Sequence, residues 1–253
     1  MRRQEQEKFL RPGQSKVLRP KTRYILPANH PGKRALDAIF LHKRATKDEE
    51  TFQASGFTTL FNKSRSFIRV ARHPSLPGYL LKVYLDSEQR QKRNRAGWEW
   101  LVRRCVGADK IRKIIEQNRI KYFQVPGKWL YPIPSQPNST SLGQPFVLLV
   151  HDMDLVSKEE NESAWKSLIT REHLNELYLI ITRAGGSSYR PDNIWLTKRG
   201  KFAFIDTEYP TQNFDYKSIS SYLSPEMRNY WVNLTQRQTK KSRVTRSGAM
   251  SRK

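Results

Sequence analysis

The chain has one cysteine, Cys105, so no disulfide can form within it. Nothing in its composition demands an oxidising compartment. No apolar run approaches the ~18 residues that span a bilayer. The opening MRRQEQEKFLRPG lacks the apolar stretch of a signal peptide, so the expected location is cytoplasmic. Acids are scarce: 23 Asp and Glu stand against 47 Lys and Arg, for a net charge of +24. Hydrophobic residues make up only 37%, low for a chain packed throughout. Several catalytic signatures are missing too. His30, His42, His73, His151 and His173 form no HExxH or zinc-finger spacing. No G-x-S-x-G elbow is present, because Gly185-Gly186-Ser187-Ser188 follows a helix-like run rather than a strand. There is no G-x-G-x-x-G and no RRM signature. No sequence signal therefore points to a zinc hydrolase, an α/β-hydrolase esterase or an RRM-type RNA binder.

What is present is unevenly spread. Residues 1–44 and 235–253 together supply +16 of the net +24. The high pI is therefore mostly a property of the ends. Basic ends favour acidic partners such as nucleic acid, anionic lipid or acidic protein. Residues 1–44 are expected as a basic arm, partly disordered and punctuated by Pro12, Pro20, Pro27 and Pro31, with 235–253 as a basic disordered tail. Within the arm, Leu36 to Leu41 suggests a short helix docked on the body.

A strand meander is expected from Phe52 to Tyr84. Thr58–Phe61, Phe67–Arg72 and Tyr79–Tyr84 are its strands, with a strong turn at His73-Pro74-Ser75-Leu76-Pro77-Gly78. Alternation puts Leu80, Lys82 and Tyr84 on one face of the third strand and Tyr79, Leu81 and Val83 on the other. Lys82 in so apolar a strand needs a negative partner. Residues 86–119 read as helical, with Trp98, Leu101, Val102 and Cys105 as a buried stripe and a break at Gly107. Tyr122–Pro126 and Trp129–Pro132 suggest a strand pair, and Phe146–Val150 a buried strand. Ser157 and Glu160 match a capping box. Leu174, Leu177, Tyr178 and Ile181 mark a second helix, and 225–234 a last one.

The chain is organised around Leu179 to Pro210. A helix-like run ends at Gly185-Gly186, and a polar turn, SSYRPDN, follows. Then comes a hairpin: Ile194–Leu196, a turn at Thr197-Lys198-Arg199-Gly200, and Phe202–Ile205, which runs into Asp206-Thr207-Glu208. Asn193 and Asp206 fall at the two open ends of that hairpin. An amide oxygen and a carboxylate converging there suit a hard cation such as Mg²⁺, with phosphate and water completing the shell.

Tyr189-Arg190-Pro191-Asp192-Asn193-Ile194 and Ile205-Asp206 resemble the catalytic-loop end and the start of the DFG motif in the protein-kinase-like fold. Leu80-Leu81-Lys82-Val83 is similar to that family's V-A-I-K strand. The resemblance implies an α+β fold: a small N-terminal antiparallel sheet with a helix over 45–155, and a reduced, mainly helical lobe over 156–234, a size known among bacterial effector kinases. It implies ATP and Mg²⁺ as cofactors. Lys82 would hold the phosphates, and Glu99, 17 residues on, would orient it. His151 and Met153 would fall at the adenine-binding hinge. Asn193 and Asp206 would hold the metal, with Glu208 as a second carboxylate. The chain departs from the pattern in two places. Ser188 occupies the catalytic Asp position, leaving Asp192 as a candidate catalytic base by proximity, and Glu208 replaces the DFG Gly. A phosphate grip near the missing Gly-rich loop would fall to Lys63 or Arg65.

Two functions are thus expected. One is a kinase-like Mg-nucleotide-binding protein, a phosphotransferase or a pseudokinase, with a protein as substrate or partner and secretion as an effector left open. The other is a basic nucleic-acid or anionic-surface binder without enzymatic activity, in which the hairpin is only structural.

Overall fold

The computed structural model describes residues 19–63, 67–88, 96–134, 143–186, 188–208 and 214–236. The chain divides into two compact units. One holds the described residues up to Val106 together with Pro126–Met153. The other holds Gly107–Val125 together with the described residues from Asp154 on.

The first unit is built on an antiparallel sheet of five strands: β1 (Thr58–Lys63), β2 (Ile68–Arg72), β3 (Tyr79–Val83), β5 (Lys128–Pro132) and β6 (Phe146–His151), in the order β1-β2-β3-β6-β5. β6 is buried all along Phe146–Val150, whereas β3 and β5 mix buried with half-buried positions. Register assigns the faces. Ala71, Leu81, Leu149 and Trp129 pair in one row; Phe61, Val70, Lys82, Leu148 and Leu130 pair in the other. The first face packs a core with helices α1 (Lys33–Phe40) and α2 (Glu49–Ala54), which contribute Leu36, Ile39, Phe40 and Phe52. Asp48 caps α2 by accepting from Thr51 N–H. The basic arm is buried in part, at Tyr24 and Leu26. Leu26 is buried in this core, and its N–H donates to the Leu130 carbonyl.

Helix α3 runs unbroken over Gly97–Asn118, its first ten residues in the first unit and the rest in the second. In the first unit, Leu101, Val102 and Cys105 are buried, and the Trp98 ring lies 5.8 Å from that of Phe146. The expected break at Gly107 is absent. Gly107 serves packing: a Cβ there would lie 2.3 Å from the Thr207 carbonyl oxygen. A mid-helix glycine costs about 1 kcal/mol against alanine, and this close approach of backbone to helix is what it allows. The helix ends at Arg119, in the left-handed region at φ 50, with Ile120 N–H reaching back to the Ile115 carbonyl.

The second unit joins helices α4 (Lys158–Ser167), α5 (Arg171–Ala184), α6 (Lys217–Ser220) and α7 (followed over 225–236) to a small sheet. Both α4 and α5 begin with complete capping boxes, Ser157 with Glu160 and Thr170 with His173. Their buried faces carry Ala164, Trp165, Leu174, Leu177, Ile180 and Ile181, which meet Ile111, Ile114, Ile219 and Trp231 in one core. The sheet has the order β4-β8-β7, where β4 is Phe123–Gln124, β7 Ile194–Leu196 and β8 Phe202–Phe204. The expected pairing of residues 122–126 with 129–132 does not form. β4 runs parallel to β8, and β5 joins β6 in the other sheet.

Candidate functional site

The second unit's hairpin is held from below by α4. Trp165 Nε1 donates to the Ile194 carbonyl at 3.0 Å, and Leu196 N–H donates to Asn161 Oδ1 at 2.8 Å. Both Trp165 and Asn161 are buried, so the anchor is shielded from water. Ile194 pairs with Phe204, Trp195 with Ala203 and Leu196 with Phe202. Gly200, at φ 79, and the Thr197 N–H bond to the Lys201 carbonyl close the turn. At the open end the ladder gains one more rung, Ile205 N–H donating to the Asn193 carbonyl at 3.0 Å. Asn193 therefore lies opposite Ile205, and Asp206 is one residue further along.

Two further bonds orient these side chains. Asn193 Nδ2 donates to the Ser188 carbonyl at 2.8 Å. Since the amide nitrogen is committed there, Oδ1 is the atom left to accept a ligand. Asp206 Oδ1 accepts Glu208 N–H at 3.2 Å, which folds the carboxylate over its own backbone. Thr207 and Glu208 are buried. The close approach of Thr207 to Gly107 described above seats this segment on α3. Sequence reasoning had not connected Gly107 with it.

The rest of the loop is tightly built. Pro191–Asn193 form a single 3-10 turn, a form that proline at its first position favours. Asp192 is at the surface, paired with Arg190 at 2.9 Å. Ser188 is only 7% exposed, and its hydroxyl has no hydrogen-bond partner among the described residues. Tyr189 is wholly buried, its ring edge-on to Phe204 at 5.5 Å. Burial raises its phenol above the ordinary range.

In the first unit, Lys82 occupies the middle of the row Phe61–Val70–Lys82–Leu148–Leu130. Burial falls along that row: Leu130 and Leu148 are fully buried, Val70 and Lys82 half-buried, and Phe61 is 54% exposed. Lys82 thus has an apolar floor for its aliphatic stem. Val70 and Phe61 share its face, which only the register reveals. Glu99 lies in the first turn of α3 and is half-buried. Lys82, Glu99, Asp206 and Glu208 all have interaction partners. Of the expected phosphate-gripping residues, Arg65 lies outside the described residues, and Lys63 ends β1.

His151 closes β6 at the surface. Its ring stacks on Tyr79 at 5.0 Å and meets Trp129 edge-on at 5.1 Å. His30, from the arm, completes the cluster at 4.5 Å from Trp129. Burial, then the charge of His151, lowers the His30 pKa. Met153 is half-buried two residues beyond His151. The His30 contact was not legible in the sequence, being separated from His151 by most of the unit.

Among the described residues no three His, Cys, Asp or Glu side chains cluster as a metal set. Mg²⁺ does not require one, since it is commonly held by one or two carboxylates with phosphate and water supplying the remainder. Asn193 Oδ1 and the Asp206 carboxylate are hard oxygens of the right kind, so the residues present fit that ion. No helix among the described residues is long and apolar enough to cross a membrane.

These features define an α+β protein whose five-stranded antiparallel sheet, with a helix entering after its third strand, is compatible with the kinase-like fold. No protein-family model matches the chain. No curated protein matches it either. Solved structures do, at low similarity. WbdD is 14% identical, over 66% of this chain and 36% of that one, with a TM-score of 0.32. A MAP kinase from Leishmania major is 14% identical over 62% and 48%, with a TM-score of 0.30. A Mycobacterium tuberculosis protein solved with erythromycin is 16% identical over 80% and 56%, with a TM-score of 0.34. This chain spans roughly a third to a little over half the length of those proteins.

Proposed function

We propose that this chain is a kinase-like protein that binds a magnesium nucleotide. The observation that carries the reading is the open end of the β7–β8 hairpin. There the bond from Asn193 Nδ2 to the Ser188 carbonyl leaves Oδ1 as the ligand atom, beside the strand end that delivers Asp206. Asn193 and Asp206 would hold Mg²⁺ in the second unit, with Glu208 as a second carboxylate. In the first unit, Lys82 would take the phosphates of ATP, oriented by Glu99, and His151 and Met153 would lie at the base end. The ion would neutralise phosphate charge; the side chains would bind and orient.

Binding rather than transfer is the activity this loop supports. A serine hydroxyl is a weak base at neutral pH without a partner to activate it, and Asp192 is engaged by Arg190 at the surface. A protein partner that responds to the nucleotide-loaded form would suit such a pseudokinase. The test is Mg²⁺-ATP binding by calorimetry. Asp206→Asn keeps the size of the side chain and removes its charge, so Mg²⁺-dependent affinity should disappear from a folded protein. Unchanged affinity would refute the metal site.

The net charge of +24 favours a second reading, binding to nucleic acid or another polyanion. Counterion release would make that binding fall steeply with salt, whereas nucleotide binding follows Mg²⁺. A salt titration separates the two.

A further inference from the structure

A hydroxyl buried without a partner has lost its water for nothing, and native proteins rarely leave one so. The loop before the hairpin has two, Ser188 Oγ and the Tyr189 hydroxyl. Their surroundings differ. Tyr189 is pressed on Gly186, where a Cβ would lie 2.8 Å from the phenol oxygen, so backbone covers that hydroxyl on one side. Ser188 is tied to the candidate metal site. Its carbonyl accepts Asn193 Nδ2, and the Asn193 carbonyl accepts Ile205 N–H, the residue before Asp206. Two hydrogen bonds thus tie the Ser188 backbone to the Asn193 side chain and the Asn193 backbone to the residue before Asp206. The three residues so linked carry one hydroxyl, one amide oxygen and one carboxylate.

We infer that Ser188 Oγ is a neutral oxygen ligand of the same Mg²⁺, which would explain why it is buried without a partner among the described residues. The inference rests on the metal reading above. Serine hydroxyls ligate Mg²⁺ where phosphate also binds, and a hard six-coordinate ion accepts neutral oxygens beside a carboxylate. Ser188 is then a binding residue in the place where a base would otherwise stand.

The experiment uses the full chain and Mn²⁺ as the spin-active probe, counting free Mn²⁺ by electron paramagnetic resonance with and without ATP. Ser188→Ala should weaken Mn²⁺ binding about tenfold, and Ser188→Asp, which adds a carboxylate, should tighten it by at least that much in the absence of nucleotide. Melting curves of each variant check that it is folded. Unchanged Mn²⁺ affinity in Ser188→Ala, with only a shift in melting, would mean that the hydroxyl holds a structural water and would overturn the inference. Loss of ATP affinity with Mn²⁺ affinity intact would put the hydroxyl on a phosphate and overturn it as well. Asp206→Asn separates the levels. If Asp206→Asn abolishes Mn²⁺ binding while Ser188→Ala does not change it, only the serine assignment falls. If the native chain binds no Mn²⁺ with or without ATP, the metal reading falls and takes this inference with it.

Discussion

Lys82 shows what a single side chain can be asked to do. It sits half-buried in an apolar row, and its charge must be met by something. Lys82→Met keeps the length and removes the charge. Because the position is half open to water, the stability loss should be small, well short of the ~3–5 kcal/mol for breaking a fully buried pair. Nucleotide affinity should fall at least tenfold. Glu99→Gln should act in the same direction but more weakly, and the double variant should lose less than the sum, since the two residues act as one unit. Calorimetry on the three proteins measures this; strict additivity would mean that the two side chains act separately. Lys82 was legible because a lone lysine interrupts period-2 alternation. Gly107 was misread for an equally physical reason: locally, a glycine in a helix can only look like a weakness, and the backbone it accommodates is 100 residues away in sequence.

At the scale of the element, helix α5 carries a titratable device in its first turn. Its capping box uses His173, whose Nδ1 accepts from Thr170 N–H at 3.4 Å and lies 2.9 Å from Thr170 Oγ1. The ring also stacks on Tyr122 at 4.0 Å. Burial lowers the His173 pKa, outweighing the opposing pull of Glu176 and Glu172. A histidine whose folded pKa is depressed stabilises the fold above its unfolded value of about 6.5 and loses that contribution as pH falls toward the folded value. Protonation would also remove the acceptor and place a positive charge at a helix N-terminus. Urea midpoints should therefore drop between pH 7.5 and pH 5.5, and the drop should shrink in His173→Gln, which keeps an acceptor and does not titrate. An unchanged drop would assign the acid sensitivity elsewhere, His30 being the next candidate. Elements of this kind are readable where the signal is local: β3 follows from alternation, β6 from an uncharged apolar run, the hairpin from its turn and the α4 start from cap chemistry. The separation of β4 from β5 was not readable. Each is a short aromatic-rich run, and neither carries any mark of which sheet will accept it.

For the whole molecule, charge and stability are expected to divide along the arm. Removing residues 1–18 and 237–253 takes away many of the cations and should weaken heparin binding, with a shallower dependence on salt. Extending the N-terminal deletion to residue 30 also removes Leu26 from its core and His30 from its ring cluster, so the melting temperature should then fall by several degrees. Equal melting temperatures for the two truncations would show that the arm contributes nothing to the fold. The pairing of β4 with β8 has a consequence in time. Phe123 and Gln124 are synthesised about 80 residues before Phe202 and Ala203, the partners they need. At roughly 5–20 residues per second, translation leaves β4 waiting about 4–16 seconds with its partner still unmade. During that interval the first sheet has all its strands once β6 emerges, while the second cannot close. Codon choice between residues 125 and 205 therefore sets how long a nascent, aggregation-exposed edge persists, and slow codons there should lower the soluble yield without changing one amino acid.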